Sequence, residues 1–218
     1  MKYQTIFDAA CACDFPYIEE YVRNGGDLNI CDSSGKSVLA HFVYGYLRFD
    51  HSCSEQEILL WDEHEDDDDD EYLLSFVPAK LMMPLSERND GICEQLTFFM
   101  DQGANVNLCV MNDGVVDTPL LHSVEFSDYY LAEYLLEQGA DPGQRITDDG
   151  DLVDGKDYYL LEELDIAIMN GARGDYVECA LKIAALLYRY GLTDWCGHCL
   201  EFDPENHRVF CHGLRLMY

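Results

Sequence analysis

Cys196, Gly197, His198 and Cys199, followed by His207, Cys211 and His212, form the one cluster in this sequence with the residue types of a metal site. A Cys-x-x-Cys pair with a histidine and a cysteine behind it can supply the four nitrogen and sulfur ligands of tetrahedral zinc. Only one such pair is present, and Cys199 and Cys211 fit equally well as core residues of a small hairpin. Cys196, Cys199, His207 and Cys211 are therefore the metal candidates, while the expectation is that the chain holds no metal or other cofactor. Asp148, Asp149, Asp151 and Asp154 surround Gly150 and Gly155 and invite a calcium reading. A helix-loop-helix calcium loop needs oxygens at its first, third and fifth positions, glycine at the sixth and a carboxylate at the twelfth. Aligning Gly150 as the sixth residue puts Arg145 first and Lys156 last, and aligning Gly155 puts Gly150 first. The register fails, and a polar turn tip is the better reading.

Nucleophilic chemistry finds no framework. Serine, cysteine and histidine are present, but there is no Gly-x-Ser-x-Gly elbow, no glycine loop to cradle phosphate and no His-Glu-x-x-His. His41 and His122 recur at matching places in a repeated phrase, which assigns them to structure. The chain reads as a non-enzyme.

Composition narrows the partners. Of 218 residues, 43 are Asp or Glu and 13 are Lys or Arg, for a net charge of −30, while 48% are hydrophobic. The apolar share is enough to bury a core. The charge repels nucleic-acid phosphates and anionic membrane surfaces, so direct nucleic-acid and membrane binding are not expected. Asp62–Glu71 holds nine carboxylates in ten residues, interrupted by His64, and reads as a solvated loop. Without those nine the net charge is still −21, so acidity belongs to the whole surface. No run approaches 18 apolar residues, and the opening Met1–Thr5 lacks a basic region followed by an apolar one. Ten cysteines scattered through apolar segments fit buried reduced thiols better than a disulfide framework. A cytoplasmic, monomeric protein is expected.

A repeated phrase organises the chain. Gly25-Gly26-Asp27-Leu28-Asn29, Gly103-Ala104-Asn105-Val106-Asn107 and Gly139-Ala140-Asp141-Pro142 each end a segment with apolar residues three and four apart, and Tyr190-Gly191-Leu192-Thr193 is a fainter copy. These segments read as amphipathic helices stopped by glycine. Upstream, Asp113-Gly114-Val115-Val116-Asp117-Thr118-Pro119-Leu120-Leu121-His122 reads as a turn leading into Thr118 as N-cap with Pro119 at the first helical position. Asp32 to His41 is a weaker version, and Leu164-Asp165-Ile166-Ala167 weaker again. Turn, short helix, tight corner, longer helix and glycine stop together resemble the ankyrin repeat, whose period is about 33 residues. The likeness covers roughly residues 3–30, 31–47 with 91–108, 111–143 and 157–193. The family usually has histidine directly after the Thr-Pro-Leu leucine, where this chain has Leu121, Ala40 and Asp165; looser hydrogen bonding between turns follows.

The resemblance implies an all-α, ankyrin-like helical solenoid over residues 1–193, interrupted by a long acidic insertion at about 48–90. Residues 194–218 form a C-terminal cap, read as a β-hairpin with a two-residue Pro204-Glu205 loop that pairs Leu200 with Val209 and Glu201 with Arg208. By analogy with such folds the function is protein binding. The partner-binding residues expected are Asp32, Ser34, Asp113, Val115, Asp117, Asp148, Asp149 and Asp151 at the turn tips. A basic protein, masked in the manner of immunity proteins or nucleic-acid mimics, is the partner that the charge favours; a general scaffold or adaptor, or a small zinc module, are the alternatives. Elemental analysis of purified protein is expected to find no stoichiometric metal. One equivalent of zinc that disappears in Cys196→Ser would overturn that expectation.

Overall fold

The structure, a computed structural model, describes residues 2–49, 80–110, 117–143, 164–165, 168, 175–192, 200–203, 205 and 208–211. It is predominantly helical, with one two-stranded antiparallel sheet. In chain order the elements are α1 (Ile6–Cys11), α2 (Phe15–Arg23), α3 (Val38–Phe49), a 3-10 turn (Leu85–Glu87), α4 (Ile92–Asp101), α5 (Pro119–Glu125), α6 (Tyr129–Glu137), α7 (Asp175–Arg189), β1 (Leu200–Asp203) and β2 (Arg208–Cys211). Leu164, Asp165 and Ile168 are helical as well. Among the described residues no helix is long and apolar enough to cross a membrane.

The helix boundaries follow from side-chain chemistry. Thr5 and Asp8 form a reciprocal capping box on α1, and Thr118 accepts from Leu121 N ahead of Pro119. At the end of α6, Gly139 adopts φ +90°, its N–H bonds Leu136 O, and Ala140 N–H bonds Leu135 O. That left-handed closure penalises any residue with a Cβ, and the same pair of bonds recurs at Gly25, Gly103 and Gly191. The corner between α1 and α2 makes the same closure on a non-glycine, Cys13 (φ 51°), and the corner between α5 and α6 makes it on Ser127 (φ 56°). Asp14 and Asp128 then cap α2 and α6 through Tyr17 N and Leu131 N.

Helices α1, α3 and α5 lie side by side, α1 on α3 and α3 on α5, while α5 folds back on α6. Ile6, Leu39, Leu120 and Leu164 are all buried in one continuous core, with Phe42 and Phe99 rings 4.9 Å apart at its centre. The approach of α1 to α3 requires Gly45: a Cβ there would stand 2.0 Å from Cys11 O. Cys13 is pressed against the same seam, its Sγ 3.7 Å from Phe42 O, and burial pushes its thiol up to about 12.

Two sequence expectations need amendment. Of the expected insertion at 48–90, Arg48 and Phe49 still belong to α3, and from residues 80–90 three side chains, Leu81, Leu85 and Arg88, are buried while Met82 and Met83 stay exposed. The acidic run Asp62–Glu71 lies outside the described residues. The hairpin is present, but its register pairs Leu200 with Cys211, Glu201 with Phe210, Phe202 with Val209 and Asp203 with Arg208. The connection is thus residues 204–207 and not a two-residue loop. Asp203 Oδ1 accepts from Glu205 N at 2.9 Å, a side-chain turn that favours the wider loop. β2 packs on α7, and buried Leu200 N donates to Asp165 Oδ1 at 3.1 Å.

The segment 80–91 is held by charge. Arg88 meets Asp128 in a two-pronged pair, Nη1 to Oδ2 at 2.7 Å and Nη2 to Oδ1 at 2.8 Å, with neither side chain exposed. Its remaining donors go to Tyr46 Oη, Met83 O and Leu81 O. Replacing Arg88 with Met leaves Asp128 buried without its cation and is expected to cost about 3–5 kcal/mol in denaturant unfolding. Arg88→Met combined with Asp128→Asn, which keeps a capping side chain, should recover much of that loss. Equal stability of Arg88→Met and the parent would refute the assignment.

Candidate functional site

Only three of the eight expected partner-binding residues fall on described residues. Asp113, Val115, Asp148, Asp149 and Asp151 lie outside them, as do the metal candidates Cys196, Cys199 and His207. Cys211 is half-buried in β2. Among the described residues no three His, Cys, Asp or Glu side chains are grouped to hold a metal ion.

Asp32 and Ser34 sit in the turn before α3. Asp32 Oδ1 accepts from Ser34 N at 2.9 Å, Ser34 Oγ at 2.7 Å and Lys36 N at 3.0 Å, while Oδ2 lies 2.7 Å from His41 Nε2. Burial pushes this carboxyl up, but Ser34, His41 and Lys36 N outweigh it and hold it below the ordinary value. Asp32 therefore knots its own turn, and Ser34 is the exposed member. Asp117 stands just ahead of α5. Its Oδ2 is 2.7 Å from Lys36 Nζ and its Oδ1 is 2.5 Å from His122 Nε2. Burial raises this carboxyl too, and His122 with Lys36 brings it below the ordinary range. Sequence reasoning treated Asp117 as a carboxylate awaiting an external cation; Lys36 already supplies one from the neighbouring turn. Lys36 also lies 4.4 Å over the ring of Tyr44, which stacks on His122 at 5.0 Å.

Successive turns are tied together more firmly than the missing family histidine suggested. Asn29 Nδ2 donates to Gly103 O at 2.9 Å, and its Oδ1 accepts from Asn105 N at 2.7 Å. Further along the chain Asn107 makes both bonds again, to Gly139 O and from Asp141 N, each at 2.8 Å. The glycine phrases therefore carry a second signal besides the helix stop: the asparagine four residues after Gly25 and Gly103 reaches the next phrase. That spacing was visible in the sequence and went unused. Val110 N to Gly35 O at 3.0 Å adds a backbone tie.

Among the described residues most Lys and Arg side chains pair with the protein's own carboxylates, Arg88 buried and Lys2, Lys182 and Arg189 exposed. Lys2 pairs with Asp14 at 2.6 Å, Lys80 with Asp90 at 2.5 Å and Arg88 with Asp128, so an aspartate just before each of α2, α4 and α6 has a basic partner. Lys182 and Arg189 pair with Glu178 and Glu133 at the rim of a groove between α6 and α7 of about 740 Å³, lined by Leu81, Met82, Tyr129 and Tyr130. Exposed acids occupy two places where folding disfavours them. Asp101 is the last residue of α4 and Glu137 the last of α6, with no basic residue in either last turn. The carbonyl end of a helix carries partial negative charge, so an anion there is destabilising. The outer helices α2 and α7 end instead on Arg23 and Arg189.

Comparison with known proteins finds no family model that matches this chain and no curated protein similar to it in sequence. Asn29→Ala and Asn107→Ala share no partner, and each is expected to lower unfolding free energy by about 1 kcal/mol, with nearly additive effects in the double variant. Calorimetric or urea unfolding of the three variants checks this, and unchanged midpoints would show that the turn ties contribute nothing.

Proposed function

We propose that this chain is a non-enzymatic, ankyrin-type binding protein whose acidic face takes, and masks, a basic protein partner. The repeat reading is supported by recurrence at matching positions: glycine closures after α2, α4, α6 and α7, aspartates just before α2, α4 and α6, and the paired asparagine bonds. The observation that carries the electrostatic half is the placement of Asp101 and Glu137. Both are exposed at helix ends that repel them, while Lys2, Lys36, Lys80 and Arg88 are engaged by other carboxylates of the protein. Charges that oppose their own helices are relieved when a basic surface docks over them. With that surface, association should be fast and steeply dependent on salt.

A scaffold or adaptor function is the second reading, favoured by apolar side chains at the surface. Met82, Met83 and Val110 are 36%, 38% and 50% exposed. Leu81, next to Met82 in the chain, is buried and contributes to the core.

The two readings separate in one variant. Asp101→Lys with Glu137→Lys should stabilise the fold by roughly 0.3–1 kcal/mol per site while weakening capture of the partner severely. The parent chain is used as bait at low and at high salt, the retained protein is identified, and its affinity is titrated against ionic strength for parent and variant. Affinity indifferent to salt and to both substitutions discards the electrostatic reading and leaves the apolar patch as the recognition surface.

A further inference from the structure

His122 is 4% exposed and lies between two carboxylates. Nε2 stands 2.5 Å from Asp117 Oδ1 and Nδ1 stands 2.9 Å from Glu125 Oε2. The Nε2 contact is ionic and poorly aligned, for neither of its two atoms makes a well-directed hydrogen bond. An ionised carboxylate only accepts, and a neutral imidazole carries a proton on one nitrogen alone. A neutral ring would therefore set two lone pairs against each other at one of these contacts. A proton on Asp117 would resolve the clash, but Lys36 Nζ at 2.7 Å from its other oxygen keeps that group ionised. We propose that His122 is a buried imidazolium at neutral pH, and that its proton clamps Asp117, just ahead of α5, and Glu125, the last residue of that helix, and lets go as pH rises.

The groups around it come from four places. Glu125 lies on α5 itself; Asp117 precedes it; Lys36 reaches Asp117 from the turn before α3; and Tyr44 of α3 stacks on the ring, its hydroxyl accepting from Arg48 Nη1 at 3.1 Å. Cys109 Sγ accepts from Asp117 N at 3.2 Å. Burial lowers the His122 pKa, but Asp117 and Glu125 more than reverse it, and the ring sits above its ordinary value. A histidine raised in the folded state gives its full stabilisation below the unfolded pKa, about 6.5, and loses it as pH climbs through the folded one. Above that point Asp117 keeps its pair with Lys36, and Glu125 loses the imidazolium. His41, one unit earlier, works the other way. Burial holds it below the ordinary value despite Asp32, so its contribution is lost as pH falls. Of the two histidines, the one whose contribution is lost as pH climbs from neutral is His122; the buried thiols Cys13, Cys31 and Cys109, also raised, add to the loss only above their unfolded value, about 8.5.

The test follows the histidine side-chain nitrogens of the full chain by NMR while pH is raised from about 6. Both His122 nitrogens should report as protonated at neutral pH and titrate above the ordinary histidine value. The folding equilibrium constant should fall by up to about tenfold per pH unit across that titration, and the slope should vanish in His122→Gln. Asp117→Asn should move the His122 titration down. A single-proton tautomer at neutral pH, or an unchanged alkaline slope in His122→Gln, overturns the proposal. Should His122→Gln fail to fold, the parent resonances and Asp117→Asn decide the question by themselves.

Discussion

The bidentate pair between Arg88 and Asp128 is the contact on which the arrangement of the described residues turns. A guanidinium and a carboxylate without solvent exposure are tolerable only when nearly every donor and lone pair is used, and here Tyr46, Met83 O, Leu81 O and Leu131 N complete the set. One residue of the pair follows the 3-10 turn and the other is the N-cap of α6. The pair thus fixes the path of the chain returning from the residues between α3 and Lys80, and starts α6. Because Asp128 serves as cap and counter-ion together, helix initiation and the seating of residues 80–91 depend on a single side chain. Leu81 and Leu85 are carried into the core as a result.

Arg88 heads a wider pattern. Acid outnumbers base by 43 to 13, yet basic side chains stand beside the capping aspartates and at Asp117, where burial makes an unpaired carboxylate costly. Pairing of most described cations with the protein's own carboxylates leaves the remaining acids little opposed, a charge distribution set by the excess of acid over base. The acids ending α4 and α6 show that this distribution does not maximise stability, and natural proteins commonly forgo stability at positions used for binding.

Legibility followed sequence distance. Thr118-Pro119, the glycine closures and the apolar spacing of α2, α4, α6 and α7 act within a turn or two of chain, and all could be read directly. Arg88 and Asp128 are separated by 40 residues, and nothing local distinguishes that arginine from a surface one. Lys36 and Asp117 are likewise joined across turns. The turn aspartates illustrate the cost: composition suggested free carboxylates, while Asp32 and Asp117 are engaged by neighbours that only the fold brings near. Asn29 and Asn107 stand between these cases, since their recurrence was visible but their reach into the following phrase required packed units.

The hairpin register carries a consequence for how its loop tolerates change. The observed pairing differs from the simplest tight-loop pairing by two residues on β2, and strand side chains alternate with a period of two. A slip of two positions therefore keeps Leu200, Val209 and Cys211 toward α7 and the charged residues Glu201 and Arg208 away from it. A slip of one would reverse the strand, sending Val209 and Cys211 to solvent and bringing Arg208 and Phe210 inward. The junction between the strands thus has a parity: insertions or deletions of even length pass without altering which side chains are buried, and odd ones do not.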